Sequence, residues 1–249
     1  MTAWRLELLR WTRSARGIAL IAVYLFFGFA GPVMATYMDE IAKLASSGVT
    51  IIAPAPRPAD GIVNYVSQGS QTGMIVLIVI AAGVLSLDAR RGLAIFYRTR
   101  VDRPMQVIWP RYVTTTAIAV AAYALGTAAA WLETTVLLGP LPAGRVLLGA
   151  GVEAVFLLFA VAVVAAAATV GRSTLSTAAI SLGVLLIVLP IAGIVPAVGR
   201  WLPTKLLTAP AGLVNGTSVA EYRWAVAVAL VATVLLLALT ARRSRRREL

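Results

Sequence analysis

Residues 147–170 read LLGAGVEAVFLLFAVAVVAAAATV, with a single charge, Glu153, in the whole run. A bilayer core about 30 Å thick is crossed by about 20 apolar residues at 1.5 Å each. Five further stretches have the same character: 17–36, 69–87, 112–138, 176–197 and 223–240. Inside a bilayer no water is available, so each N–H and C=O must be satisfied within its own segment, and such spans are helices. The chain therefore reads as an all-α integral membrane protein of six transmembrane helices, one membrane domain over 1–249. Its hydrophobic fraction of 60% and mean hydropathy of +0.88 agree, since soluble domains are about 45–50% apolar.

Composition removes several chemistries. There is no cysteine and no histidine, so thiolate metal sites, cysteine nucleophiles and histidine acid–base catalysis are excluded. The two lysines, Lys43 and Lys205, belong to no G-x-x-x-x-G-K-[ST] phosphate loop. Any ATP-driven step requires the ATPase of another chain.

The net charge of +12 is explained by where it lies. With both termini cytoplasmic, sixteen of the 22 basic residues fall inside: Arg5, Arg10, Arg13, Arg16, Arg90, Arg91, Arg98, Arg100, Arg103, Arg111, Arg172, Arg242, Arg243, Arg245, Arg246 and Arg247. This asymmetry orients a membrane chain. It predicts a multi-pass protein of the cytoplasmic membrane with both ends inside, and no nucleic-acid partner.

A basic start before an apolar run also occurs in signal peptides, and Val33-Met34-Ala35 offers small residues for cleavage. The unbroken length of the run argues for a retained span. Ahead of it, residues 1–16 predict an amphipathic helix lying at headgroup level. Trp4, Leu8, Trp11 and Ala15 share one face, and Arg5, Arg10, Arg13 and Arg16 occupy the rest. Trp4, Trp11, Arg13 and Arg16 are its expected anchors on membrane lipid. Arg243 and Arg246 play that part in the basic tail, 241–249.

The outer loop, 37–68, has helical spacing over 38–44, a Pro-rich part at Pro54, Pro56 and Pro58, and Asp60 as the expected N-cap of a helix entering span two. The inner loop, 88–111, is the richest segment. Asp88 ends span two, Gly92 allows a sharp turn, Leu93–Arg100 can form a short helix, and Pro104 restricts the residue before it. A basic turn obeying the charge rule accounts for Arg98, Arg100 and Arg103. It does not account for Leu93, Ile95, Phe96 and Tyr97, apolar residues that fit a partner surface or the membrane surface.

This layout resembles the membrane subunits of type-2, exporter-type ABC transporters. In that family span two typically ends in Glu-x-x-x-Gly, followed by a short helix and a Pro-hydroxyl-Arg element. Here the match is Asp88-x-x-x-Gly92, Leu93–Arg100 and Val101-Asp102-Arg103-Pro104. Asp stands in place of Glu, and the Pro/Arg element is out of order. The flat N-terminal helix, the outer Pro-rich loop and the segment 198–222, where the family has a partly re-entrant helical hairpin, complete the likeness.

The resemblance implies a permease subunit whose cytoplasmic coupling helix docks into a groove of an ABC ATPase, present in two copies, beside a second permease, identical or related. Asp88, Gly92, Phe96, Tyr97, Arg98, Arg100, Arg103 and Pro104 would form that contact. The chain itself would bind no cofactor and catalyse nothing, with ATP and Mg held by the partner. The four-residue Asp88–Gly92 spacing after span two favours export over uptake.

Glu133 and Glu153 are the translocation-pathway candidates, because ionisable residues within spans are costly unless they face a cavity or a partner. They are expected to approach one interface from two helices joined by the turn 139–145. There they would face one another, hold a cation or a shared proton, or meet substrate. The alternative is an interfacial position neutralised by Arg145 or by snorkelling. Two other functions compete with transport: a non-transporting scaffold or accessory subunit, and a six-span intramembrane enzyme, for which only Lys43 with Ser46 or Ser47 offers a dyad.

Overall fold

The computed structural model describes residues 3–45, 55–86 and 105–246. Among these the secondary structure is entirely helical, and six helices are long and apolar enough to cross a membrane. They are span one, Ala15–Met38; span two, Pro58–Leu85; span three, Met105–Leu137; span four, Ala143–Ala168; span five, Thr174–Gly193; and span six, Val219–Ser244. The chain is an all-α, multi-pass membrane protein. The whole of 87–104, and with it the expected coupling helix, lies outside the described residues.

Several helices run further than hydropathy indicates, because polar residues continue a helix once its backbone is already hydrogen-bonded. The helix of span one extends to Ala45, so 38–44 prolongs the span instead of forming a separate loop helix. Span two starts at Pro58, not Gly69. Asp60 is not its N-cap: it occupies the first turn and accepts a hydrogen bond from the Arg57 N–H at 2.7 Å, with Arg57 itself at the cap position. Residues Tyr65–Ser70 then widen into a π-helical turn. Span five carries a second π-helical turn, Gly183–Val188, ahead of Pro190, and ends before Pro196 restarts a short helix.

Spans two, three and four form the centre. In their most apolar windows 50, 56 and 56% of residues are buried, against 22 and 28% for spans five and six. Spans one and three cross closely at a glycine pair. A Cβ on Gly28 would meet the Gly126 carbonyl oxygen at 2.5 Å, and one on Gly126 would meet the Tyr24 carbonyl oxygen at 2.6 Å. Without a hydrophobic force between helices in lipid, such close backbone approach supplies the packing energy.

At the end carrying both termini, the N-terminal helix Ala3–Thr12 turns into span one, with Trp11 buried and packed on Gly17. Trp4 and Leu8 are exposed. At the opposite end, Gly139 adopts φ +114° in the turn between spans three and four, a conformation glycine takes without strain. The segment between spans five and six is also helical, through Pro196–Gly199, Pro203–Thr208 and Ala209–Val214. It dips beside span four. Pro210 packs so closely on Gly149, six residues into that span and so about 9 Å along it, that a Cβ there would meet Pro210 Cα at 2.6 Å.

Candidate functional site

Ten residues into span four, about 15 Å along the helix, Glu153 is 1% exposed. A 30 Å core puts this carboxyl group near mid-membrane. Its surroundings come from three other spans. Tyr123 of span three donates its hydroxyl to Glu153 Oε2 at 2.8 Å. Tyr65, in the π-helical turn of span two, donates to the Tyr123 carbonyl at 3.4 Å and accepts from Thr127 Oγ1 at 3.5 Å. Tyr24 of span one meets the Tyr123 ring edge-on, with centroids 5.7 Å apart, and Tyr65 stacks on Tyr123 at 6.4 Å. All three rings are buried.

The widened turn serves this arrangement. A π-helical turn shifts the register of the residues after it and is frequent at functional sites. Here it spans Tyr65 to Ser70, and both ends of the turn reach the cluster. The Ser70 hydroxyl borders the Glu153 carboxyl group, yet it is buried without a hydrogen-bond partner of good geometry. No arginine or lysine among the described residues pairs with Glu153. A carboxyl group in this setting is costly, and its position in the bundle is held by the Tyr123 hydroxyl instead of a counter-charge.

Glu133 does not join it. It lies ten residues beyond Tyr123 on the same helix, about 15 Å from the level of Glu153, and it is half-buried. The two carboxylates therefore do not face one another. Arg145 is exposed and neutralises neither. The expected meeting failed because Glu153 lies deeper than its distance from the edge of the apolar run suggests: the helix starts at Ala143, ahead of that run.

A second polar junction lies at the termini end. Arg111, 6% exposed, donates from Nε to Glu7 Oε1 at 3.0 Å and from Nη1 to the Val84 carbonyl at 3.2 Å. Arg10 donates to the same Glu7 oxygen at 2.8 Å. The N-terminal helix is thus fastened to the last turn of span two and the first turns of span three, the two flanks of 87–104. Of the expected membrane anchors, Trp4, Arg13, Arg16 and Arg243 are exposed, whereas Trp11 is buried. The helix of span six runs to Arg246.

The chain is 23% identical over 246 residues to the "Uncharacterized transmembrane protein YxlG" of Bacillus subtilis (strain 168). That alignment covers 97% of this chain and 95% of the relative. The likeness therefore takes in the whole six-span unit. No family model and no solved structure matches the chain.

Asp88, Gly92, Phe96, Tyr97, Arg98, Arg100, Arg103 and Pro104 lie outside the described residues. The tyrosine cluster escaped the sequence reading because tyrosine is unremarkable in an apolar run and Tyr65 stands ahead of one. Glu7 carried a signal that could have been used: it is the one acid among the four arginines of the first 16 residues.

Proposed function

We propose that this chain is the membrane-spanning subunit of an ATP-binding-cassette exporter in the cytoplasmic membrane, working with a separate ATPase and a second permease. The observation that carries the reading is the Glu7–Arg111–Val84 junction. It joins the N-terminal helix to both flanks of the loop whose Asp88–Gly92 spacing and apolar–basic pattern resemble a coupling element. A partner pushing on 87–104 would move spans two and three together, and these spans hold Tyr123 against Glu153 and Tyr65 against Tyr123. Force applied at the termini end would thus reach a polar cluster at mid-membrane. Further support comes from the helical segment dipping beside span four at Gly149.

Phe96 and Tyr97 are the aromatic anchors of the proposed contact, and Arg98, Arg100 and Arg103 give it register and steering on an acidic rim. Purification in mild detergent tests the reading. An ABC ATPase is expected to accompany the chain, and addition of the chain is expected to change that ATPase's turnover. A bound ATPase with unaltered turnover would indicate a scaffold.

A further inference from the structure

We propose that Glu153, with Tyr24, Tyr65 and Tyr123, is the recognition site for a lipophilic organic cation, the substrate class of the exporter proposed above, on which this inference rests. The cluster has the chemistry an ammonium or phosphonium ion requires. One carboxylate supplies the charge, and three aromatic rings supply negative π faces that attract a desolvated cation. It is also deficient in a way a cation would satisfy. Glu153 has no basic partner among the described residues, and its hydrogen bond from Tyr123 engages only Oε2.

Position supports the same conclusion. In many secondary transporters the substrate site lies near the bilayer midplane, where helices depart from regular geometry. The π-helical turn Tyr65–Ser70 is such a departure, at the depth of Glu153. The four contributing residues come from four different spans, so relative movement of the spans opens or closes the site. In the present arrangement it is closed: the Tyr24 ring lies so near Gly73 that a Cβ there would meet it at 2.5 Å. Entry of a cation requires the Tyr24 ring of span one to part from Gly73 of span two and from Tyr123 of span three. The substrate inferred is apolar in bulk and carries one positive charge, because the cluster offers one carboxyl group within an apolar core.

The test is equilibrium binding of tetraphenylphosphonium to the purified full-length chain in detergent, with tetraphenylborate as an anion of the same shape. Wild type is expected to bind the cation and not the anion. Glu153→Gln should weaken cation binding about tenfold or more, a loss of about 1.4 kcal/mol, while Glu133→Gln leaves it unchanged. Should Glu153→Gln fail to fold, Glu153→Asp and Tyr24→Leu replace it: the first keeps the charge and should retain binding, and the second removes a ring and should weaken it. The inference is overturned by absent cation binding, by equal binding of the anion, by full binding in Glu153→Gln, or by full binding in Tyr24→Leu. No ATPase is needed for this measurement. Glu153-dependent binding in a chain that recruits no ATPase would keep the site and refute the exporter. An ATPase-coupled chain that ignores the cation would do the reverse.

Discussion

Arg111 and Glu7, 104 positions apart in the chain, form an ion pair at 3.0 Å with both side chains 7% exposed. Breaking a buried pair by removing one partner costs about 3–5 kcal/mol, whereas replacing both by apolar groups costs far less. Glu7→Ala should therefore lower the melting temperature in detergent more than Glu7→Leu combined with Arg111→Met. The comparison separates a specific pair from two independent surface charges, for which the double variant would be the worse.

The crossing of spans one and three makes a packing prediction. In Gly126→Ala the new methyl would meet the Tyr24 carbonyl at 2.6 Å and the Tyr65 hydroxyl at 2.8 Å. Overpacking of this kind costs about 1–3 kcal/mol. Gly151→Ala, on the neighbouring span where nothing lies within 4 Å, should be neutral or slightly stabilising. Thermal unfolding of the two variants in the same detergent compares them directly, and equal stability would mean the helices do not cross here.

Tyr123→Phe should be more damaging than Glu133→Gln. It deprives Glu153 of its 2.8 Å donor, and leaving a buried acceptor unsatisfied costs about 1–3 kcal/mol. Glu133→Gln, at a half-buried position without an ion-pair partner among the described residues, should change stability by only a few tenths of a kcal/mol. Denaturation midpoints for the two variants test the ranking.

The span count was legible from hydropathy because a bilayer imposes one length and one polarity on every crossing. The depth of Glu153 was not, since helices begin where backbone hydrogen bonds begin and not where apolar residues do. Ala143 and Pro58 start their spans among polar or small residues that a hydropathy window excludes. The tyrosines were hidden for a related reason. Tyr65, Tyr123 and Tyr24 meet only once three helices are packed, and the register of Tyr65 depends on a π-helical turn with no sequence signature. Asp60 was misassigned by three positions because Pro58 accommodates the first turn as readily as the chain before it.

Orientation can be checked independently of function. The chain has no cysteine, so single cysteines at Ser47 and Ser244 report topology without background. An impermeant thiol reagent applied to intact cells should label Ser47→Cys and spare Ser244→Cys. The reverse pattern would place the loop 87–104 on the wrong side for any cytoplasmic ATPase.

In the exporter proposed here, the loop 87–104 grips the ATPase through Phe96 and Tyr97. Two aromatic anchors of this kind are worth about 2 kcal/mol or more each when they act as hot spots. The decisive measurement is the ATPase bound to, and the transport supported by, Phe96→Ala/Tyr97→Ala chains inserted in the membrane at wild-type levels. The ATPase should dissociate, or its hydrolysis should no longer drive transport, while the six-span fold is retained. Wild-type assembly together with wild-type transport in that variant would contradict the proposed contact.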